Sequence, residues 1–553
     1  MWSDGCTDRP LRRYKTYPEF EYECGYDIHR EKSDAILFED IKRYLNNRYG
    51  YFCDDEIKQI ISYITHYSNN SLYRSLKETY KIITSSYNFT KEDGTQVSIE
   101  FFDFDNVGNN IFKCVNQFEF SEYKDRRPDV VIFINGIPVS VFELKNPADD
   151  SVSIKDAYDQ THVRYSQDIP SLMKFDFINV LSDGANTKYG ALFSSYEFYF
   201  KWNSNDGNDY ENADGIEGIK TLIKGLFEPK TLLTILKNYI YIPDNCDNNV
   251  VILPKYYQYY GAEKMYRNIL KEYGLKSGKG GTYWGATGCG KSYTMLFLSL
   301  ELDKPTIILL TDRNDLDEQL SSDFENAKTY LVDENSLSIK NRKMLKGKLE
   351  NVKSGGIYLM TIQKFSEDIS LLSDRNNIIC ISDEAHRSQV SLDQKLRITT
   401  EGVNRTYGFA KYLHDSLPNA TYVGFTGTPI DATIEVFGAV VDSYTMTEAV
   451  EDGITVNLVY DGRAAKVTLN QAKVKEIEDY YDQCAEEGSN EHQIEESKKA
   501  VAKLDVIIGD PDRLRAVAED FINHYETRVA EGATVAGKAM FVCSNRHIAY
   551  RFY

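Results

Sequence analysis

Between residues 255 and 450 the chain alternates short apolar runs with stretches of helical periodicity. The apolar runs read GGTYWGA, PTIILLTD, IYLMT, NIICISDEAH and TYVGFTGTP. Strands of a parallel sheet are buried on both faces and joined by helices, so they read as continuous apolar runs. The alternation therefore predicts an α/β domain in which helices cover a parallel sheet.

A glycine-rich loop separates the first of these runs from a helical stretch. The segment WGATGCGKSYTM contains Gly285, four intervening residues and then Gly290-Lys291-Ser292, which is the Walker A pattern. In such a loop backbone N–H groups surround phosphate oxygens at a helix N-terminus, the lysine neutralises phosphate charge and the hydroxyl ligates Mg²⁺. The loop predicts ATP and Mg²⁺ as cofactors. The predicted nucleotide contacts are Gly285, Thr287, Gly288, Gly290, Lys291 and Ser292.

An acidic motif ends the apolar run about ninety residues further on, where NIICIS is followed by Asp383-Glu384-Ala385-His386. Two consecutive acids at the end of a strand fit poorly in a core or a turn. Asp383 is predicted to hold the Mg²⁺, directly or through water, and Glu384 to accept a proton from the attacking water. A further apolar run closes with FTGTP, which carries two hydroxyls.

The order and spacing of GATGCGKS, DEAH and TGTP resemble those of superfamily 2 helicases and translocases. The resemblance implies a RecA-like ATPase domain. It also implies that His386, Thr426 and Thr428 couple ATP hydrolysis to movement.

Three weaker segments lie at positions where that family has conserved roles. TDRNDLDEQ and TIQKF stand where such motors contact the DNA backbone, which implies Arg313, Thr361 and Lys364 as candidate DNA contacts. YYQYYGAEKMY places Gln258 where such motors read adenine. A tyrosine-rich amphipathic stretch is also typical of a packed core, so both interpretations stay open for this segment.

Residues 129–150, DVVIFINGIPVSVFELKNPADD, predict a β-hairpin of two apolar strands around Asn135-Gly136. The first strand opens with Asp129 and the second ends with Glu143 and Lys145. One interpretation is a salt bridge at a fraying strand end, because an unpaired buried charge would cost several kcal/mol. The other is a metal-dependent nuclease site built from these three side chains.

The pleat of the hairpin tests the second interpretation, since neighbouring residues of a strand face opposite sides. A two-residue turn would pair Asp129 with Phe142 and direct Asp129 away from Glu143. A three-residue loop with Gly136 left-handed and a G1 bulge would pair Phe133 with Ile137. Asp129 would then lie diagonal to Glu143, roughly 7–8 Å away at Cα. The metal-site interpretation therefore predicts the three-residue loop.

The hairpin resembles nucleases of the PD-(D/E)xK type, with Asp129 after a proline and Glu143-x-Lys145 on the next strand. The resemblance implies that two carboxylates hold Mg²⁺ and that the lysine stabilises phosphate charge or orients the attacking water. NQFEFSEYKDRRPDVVIFINGIPVSVFELKNP is similar to the nuclease domain of type I restriction endonuclease motor (R) subunits. In that family a helix after the lysine carries a supporting Gln and Tyr. Gln160 and Tyr165 match with a spacing one residue too long.

The resemblance as a whole implies the N-terminal portion of an R subunit. The predicted fold is a PD-(D/E)xK nuclease α/β domain with linker (1–250), a RecA-like parallel-sheet ATPase domain (251–454) and the start of a second RecA-like domain (455–553). The implied activity is ATP-dependent translocation on double-stranded DNA coupled to Mg²⁺-dependent cleavage, with modification (methyltransferase) and specificity subunits as partners. Alternatives that share these motifs are a stand-alone DNA-repair helicase–nuclease and a DNA-binding ATP switch with an inactive nuclease fold.

Composition limits the remaining classes. The formal net charge of −20 argues against a uniformly basic DNA-binding surface but leaves room for a local channel. No apolar run approaches the roughly 18 residues of a membrane helix, so no membrane partner is expected. Nine scattered cysteines without CxxC spacing predict a cytoplasmic protein without structural zinc or disulfides. The apolar run KAMFVCSN near Tyr553 predicts the first strand of the second RecA-like domain, so we expect a fragment with little DNA-stimulated ATP hydrolysis of its own.

Overall fold

The computed structural model describes most of the chain and divides it into two compact units, Met1–Val456 and Asn457–Tyr553. The described residues are 20–66, 71–149, 151–209, 214–243, 249–302, 305–311, 324, 337–339, 341–362, 371–386, 394–399, 402–407, 409–460, 462, 509, 511–530 and 538–553.

Three helices follow the first strand of the first unit. Their apolar residues recur three and four positions apart, so each helix buries one face, as in α2, where Ile57, Ile60 and Ile64 are fully buried. The three helices are α1 (Phe38–Tyr49), α2 (Asp54–Thr65) and α3 (Leu72–Thr84).

A six-stranded sheet follows, in the order β1-β4-β7-β8-β9-β10. β7 and β8 lie in its centre; β8 pairs antiparallel with β7 and parallel with β9. The central pair is almost wholly buried, which explains why both strands are apolar on both faces. The strands in this part of the chain are β1 (Glu21–Cys24), β2 (Ser86–Thr90), β3 (Gln96–Glu100), β4 (Phe112–Asn116), β5 (Phe120–Ser121), β6 (Asp125–Arg126), β7 (Val130–Ile134), β8 (Ile137–Leu144), β9 (Ile178–Ser182) and β10 (Thr187–Gly190).

The turn between β7 and β8 has two residues, so the predicted three-residue loop is wrong. Ile134 pairs with Ile137, and Asn135 and Gly136 both have positive φ, at 54° and 81°. The conformation follows from the burial of Asn135, whose amide Nδ2 donates to the carbonyl of Phe101 and whose Oδ1 accepts from the N–H of Ile111, both at 2.8 Å. A buried amide with all its groups bonded fixes the turn more strongly than the loop preference does.

Helices and two π-helical turns connect strands of the first sheet and lead from it to the second sheet. One π-helical turn lies within a continuous helix at Gln160–Tyr165, and the other at Ile235–Tyr239. The helices are α4 (Ile154–Asp159), α5 (Ser166–Asp168), α6 (Pro170–Met173), α7 (Ile216–Gly225), α8 (Pro229–Thr234) and α9 (Tyr256–Leu275).

The second sheet has seven strands in the order β13-β14-β12-β15-β18-β11-β19, and all its pairings are parallel. This confirms the predicted parallel-sheet domain. A separate hairpin consists of β16 (Gln394–Thr399) and β17 (Gly402–Tyr407). The sheet strands are β11 (Lys279–Gly285), β12 (Thr306–Thr311), β13 (Leu337–Ser338), β14 (Ile357–Thr361), β15 (Ile378–Ser382), β18 (Thr421–Thr426) and β19 (Val440–Tyr444). The helices are α10 (Lys291–Glu301), α11 (Arg342–Asn351), α12 (Phe409–Ser416), α13 (Asp431–Phe437) and α14 (Met446–Glu451).

The second unit contains α15 (Pro511–Ala530) and α16 (Arg546–Phe552). Residues 538–543, predicted as a strand, form none. The ring of Phe541 instead stacks on that of Phe552 at 3.9 Å, so packing on a helix replaces pairing with a neighbouring strand.

Across the described ranges, every helix is too short or too polar to cross a bilayer.

Candidate active sites

A β-bulge in the hairpin places Asp129 and Glu143 opposite each other. Phe133 pairs with Pro138 while Ile132 pairs with Ser140, so Val139 is an extra residue in β8. Beyond the bulge Val130 pairs with Phe142, so the same register continued by one residue brings Asp129 to Glu143, whose carboxyl feels the charge of Asp129. The bulge thus corrects the parity that a two-residue turn alone would give, and the metal-site interpretation survives without the predicted loop.

The carboxylate of Asp129 is fixed at the end of β7 by two neighbours. Its Oδ2 accepts from the backbone N–H of Leu144 at 2.8 Å, and its Oδ1 accepts from the amide of Gln117 at 3.3 Å. These contacts hold the carboxylate beside the end of β8, where Glu143 lies.

Four side chains form a closed ring of hydrogen bonds at this end of the sheet. Lys145 Nζ donates to Glu143 Oε1 at 2.8 Å and to Gln160 Oε1 at 2.6 Å. Gln160 Nε2 donates to the hydroxyl of Tyr165 at 2.8 Å, and that hydroxyl donates to Glu143 Oε2 at 2.9 Å. Each donor and acceptor atom in the ring has a defined partner, so the ring fixes the carboxylate and the ammonium of the predicted nuclease site.

The electrostatics of this site suit a divalent cation. Glu143 is 3% exposed, and burial together with the charge of Asp129 raises the pKa of its carboxyl to about 7. Lys145 is its only ion-pair partner among the described residues. The described residues hold no cluster of three or more His, Cys, Asp or Glu side chains arranged for a metal. A site with only the two carboxylates of Asp129 and Glu143 still suits Mg²⁺, because this ion is commonly bound by one or two carboxylates together with water and phosphate oxygens.

The π-helical turn explains the spacing of Gln160 and Tyr165. In an α-helix, residues five apart lie about 140° apart around the axis. Hydrogen bonds from residue i to i+5 widen the turn, so residues five apart lie on the same face. The extra residue that weakened the sequence match is therefore accommodated by the widened turn.

The glycine-rich loop connects β11 to α10 as its pattern predicts. Gly288 and Gly290 have positive φ, at 85° and 83°. The φ of Gly290 disfavours any residue with a Cβ, and a Cβ there would also lie 2.6 Å from the amide nitrogen of Gln258. Ser292 lies in the first turn of α10, and Thr287 borders the loop beside Gly427.

The acidic motif meets this loop at the carboxyl end of the parallel sheet. Lys291 Nζ lies 4.0 Å from Glu384 Oε1 and donates to the carbonyl of Gly285 at 3.3 Å. Glu384 has a φ of 47°, an uncommon conformation for a residue with a Cβ. Asp383 Oδ1 accepts from the N–H of Glu384 at 2.9 Å. The predicted catalytic and metal-binding carboxylates therefore lie beside the predicted phosphate loop.

His386 connects the acidic motif to the TGTP segment. Its Nδ1 lies 2.7 Å from Thr426 Oγ1 and 3.4 Å from Glu384 Oε2. The N–H of Thr428 donates to Thr426 Oγ1 at 3.1 Å. The three residues predicted to couple hydrolysis to movement thus form a continuous contact with Glu384.

The remaining predicted contacts differ in position. Gln258 accepts from the N–H of Lys255 at 2.9 Å and donates to the carbonyls of Cys289 and Gly290 at 3.2 Å, so its amide supports the phosphate loop. Thr361 is 3% exposed at the carboxyl end of β14. Arg313 and Lys364 lie outside the described residues.

Asp452, which no sequence motif predicts, bonds to three separate segments of the first unit. One carboxylate oxygen accepts from the amide of Asn203 at 2.7 Å. The other accepts from the hydroxyls of Tyr256 and Tyr444, at 2.9 and 2.7 Å. Such a cluster links segments about 250 residues apart, and no local pattern in the sequence signals it.

The same cluster reaches the phosphate loop. The ring of Tyr444 stacks on that of Tyr257 at 3.6 Å, and the hydroxyl of Tyr257 donates to the carbonyl of Cys289 at 2.8 Å. The N–H of Ala286 donates to the carbonyl of Tyr444 at 2.8 Å. The tyrosine-rich segment is therefore packed core and also a support of the loop.

Comparison with known proteins gives two domain matches. Residues 13–198 match the model of the type I restriction enzyme R protein N terminus, and residues 257–494 match that of the SWI2/SNF2 ATPase. The type I restriction enzyme HindI endonuclease subunit of Haemophilus influenzae is 34% identical over an aligned length of 505 residues, and the match covers 88% of this chain and 46% of that protein. A protein of Methanocaldococcus jannaschii described as the type I restriction enzyme MjaIXP endonuclease subunit is 32% identical, over 96% of this chain and 51% of its own.

The chain spans about half the length of the curated relatives it matches. Among solved structures, the Sulfolobus solfataricus SWI2/SNF2 ATPase core in complex with dsDNA is 18% identical and covers 32% of this chain and 33% of its own. Its TM-score is 0.22, which is too low to bear on the fold.

Proposed function

Because this chain carries the N-terminal domain of type I restriction enzyme R proteins together with a SWI2/SNF2 ATPase domain, we propose that it forms the nuclease and part of the motor of an R subunit. The proposed activity is ATP-dependent translocation on double-stranded DNA coupled to Mg²⁺-dependent cleavage. The proposed partners are the modification and specificity subunits of the same restriction system. The observation that carries the proposal is the ring of Glu143, Lys145, Gln160 and Tyr165 in the same compact unit as the phosphate loop.

In the proposed nuclease site Asp129 and Glu143 would hold the Mg²⁺, which supplies a Lewis acid next to the scissile phosphate. Lys145 is held 2.8 Å from Glu143 and is the cation that would stabilise the charge developing on the phosphate. Gln160 and Tyr165 fix the direction of the lysine and of the carboxylate. Burial keeps bulk water away from Glu143, which strengthens each of these interactions.

In the proposed motor site the loop from Gly285 to Gly290 would surround the phosphates of ATP, with Lys291 against the β- and γ-phosphates. Ser292 and Asp383 would hold its Mg²⁺. Glu384 is the candidate base for the attacking water. Glu384 contacts His386, and His386 contacts Thr426. A change of charge at Glu384 would therefore alter the contacts of the TGTP segment.

The test is cleavage of plasmid DNA by the chain with and without candidate modification and specificity subunits. We expect linearisation that requires ATP, Mg²⁺ and both kinds of subunit, and we expect co-purification of the three. Cleavage by the chain with ATP but without any other subunit would favour the stand-alone helicase–nuclease. An ATP-dependent assembly on DNA that never cleaves would favour the ATP switch with an inactive nuclease fold.

A further inference from the structure

The π-helical turn at Gln160–Tyr165 interrupts a helix that is α-helical before and after it. A π-turn is rare because it leaves backbone groups without their usual partners, so the surrounding structure must compensate. An unsatisfied buried carbonyl is destabilising. Side chains that bond to this turn therefore stabilise the π-helical conformation, which keeps Gln160 and Tyr165 on the same side of the helix.

His162, inside the turn, supplies one such bond. Its Nδ1 lies 3.1 Å from the carbonyl of Tyr158, and its ring stacks on the ring of Tyr158 at 3.7 Å. Nδ1 also lies 3.0 Å from Thr161 Oγ1, which itself donates to the carbonyl of Tyr158 at 3.1 Å. Nε2 lies 3.2 Å from the hydroxyl of Tyr199. Burial lowers the pKa of His162 to about 4, which keeps the ring neutral.

A buried polar cluster ties the turn to the strands of the nuclease site. Thr161 Oγ1 lies 3.3 Å from Asn179 Oδ1, and the hydroxyl of Tyr199 donates to the same oxygen at 3.1 Å. Asn179, on β9, pairs with Val141 of β8, two residues before Glu143. The cluster thus anchors the widened turn to the strand that carries the catalytic carboxylate.

We propose that His162 is a positioning residue of the nuclease site. It holds the π-helical register, and this register is what brings both Gln160 and Tyr165 onto Lys145 and Glu143. The inference rests on the proposed nuclease function but names a residue that neither the sequence motif nor the ring itself includes.

The experiment combines a substitution with a deletion that makes the π-turn unnecessary. His162→Ala removes the bond to Tyr158 and the stack. Deleting Val163, whose side chain is 50% exposed, shortens the spacing of Gln160 and Tyr165 to four residues, which an ordinary α-helix aligns. We expect His162→Ala to lower the kcat of ATP-dependent cleavage by about 10–10² with little change in the KM for DNA. The Val163 deletion in the same chain should restore most of the lost kcat.

Two controls separate register from general damage. Lys145→Ala should not be rescued by the Val163 deletion, because the missing ammonium has nothing to do with the turn. His414→Ala removes another buried histidine, stacked on Tyr422 at 3.9 Å and remote from the ring in sequence. It should leave the number of cleavage events per ATP hydrolysed unchanged, whereas His162→Ala should lower that number.

Hydrogen exchange of the amides in residues 154–168 gives a readout that does not depend on cleavage. His162→Ala should accelerate exchange there, and the added deletion should slow it again. The inference is overturned if His162→Ala cleaves like the wild type, or if the deletion restores neither cleavage nor slow exchange. Slow exchange restored in a protein whose wild type never cleaves would support the register and count against the proposed nuclease function.

Discussion

The two candidate sites of this chain are built in opposite ways. In the nuclease site the lysine is already bonded, with Lys145 donating to both Glu143 and Gln160 at 2.8 and 2.6 Å. In the nucleotide site Lys291 donates to one backbone carbonyl at 3.3 Å and lies 4.0 Å from Glu384. The first site is a ring of side chains whose geometry is complete within the protein, while the second is a loop of backbone groups whose natural partner is a phosphate.

The difference extends to how each site is positioned. The nucleotide site lies where parallel strands end, so the sheet order alone brings the loop, the acidic motif and TGTP together. The nuclease site depends on two local irregularities, the bulge at Val139 and the π-turn at Gln160–Tyr165. A site that needs each side chain on the correct face is sensitive to a shift of one residue, whereas a phosphate loop is much less so.

The largest expected effect separates the two lysines. Lys145→Ala should lower DNA cleavage by about 10²–10³, the cost of losing one group that stabilises transition-state charge, while DNA-stimulated ATPase persists. Lys291→Ala should abolish ATPase and with it all cleavage that requires translocation. Steady-state ATPase and plasmid cleavage are measured on both variants of the assembled enzyme.

A matched change tests whether the positive charge alone is sufficient at each site or whether the shape of the ammonium group is also required. Lys145→Arg and Lys291→Arg keep the positive charge but replace a point charge by a planar fork. We expect Lys145→Arg to stay poor at cleavage, because the ring accepts one small ammonium. Undiminished cleavage in Lys291→Ala would show that the nuclease works without the motor. It would contradict the proposed coupling of ATP hydrolysis to DNA cleavage.

The next largest effect concerns the turn between β7 and β8, the strands at whose ends the candidate nuclease residues lie. A Cβ on Gly136 would lie 2.5 Å from the carbonyl oxygen of Leu37, and its φ of 81° already disfavours alanine. Gly94, in the turn between β2 and β3, has a φ of 85° with nothing within 4 Å. Gly94→Ala should cost about 1 kcal/mol for the left-handed backbone alone. Gly136→Ala should cost about 3 kcal/mol because of the added overlap.

Chemical denaturation of the two variants gives the comparison directly. Equal losses would mean that the hairpin does not pack on α1 as the contact between Gly136 and Leu37 requires. Cleavage should fall more in Gly136→Ala than in Gly94→Ala, since only the turn at Gly136 connects β7 and β8, at whose ends Asp129 and Glu143 lie.

The sequence predicted the parallel sheet because apolar runs and the Walker A pattern are local signals with one structural meaning. The geometry of the candidate nuclease site could not be predicted in the same way. The turn length of the hairpin depends on Asn135, which is held by Phe101 and Ile111, and the bulge at Val139 has no signature in its own residues. Tertiary bonds of this kind override local preference, as they also do where Asp452 accepts hydrogen bonds from Asn203, Tyr256 and Tyr444.

The smallest expected effect concerns a carboxyl pair at the far end of the Walker helix. Glu301, the last residue of α10, accepts a hydrogen bond from Tyr239, and Glu263 on α9 lies beside it. Burial and the neighbouring Glu263 raise the pKa of Glu301 to about 9, whereas its ordinary value is 4.5. The folded state therefore binds a proton that the unfolded state releases, and its stability falls as the pH rises from about 4.5 towards 9.

Glu301→Gln imitates the protonated side chain, because its amide still accepts from Tyr239 and can donate to Glu263. We expect the variant to match the wild type near pH 5 and to be more stable by on the order of 2 kcal/mol near pH 8. Tyr239→Phe provides the matched opposite. Donation from the Tyr239 hydroxyl favours the ionised carboxylate, so its loss should move the pH dependence of the wild-type carboxyl to higher pH. Thermal unfolding between pH 5 and 9 measures both, and a Gln variant with the wild-type pH dependence would show that another group titrates. Tyr239 belongs to the π-turn before the second sheet, and Glu301 belongs to the helix of the phosphate loop. The same titration therefore reports whether the hydrogen bond between these two segments is as fully formed as those of the nuclease ring.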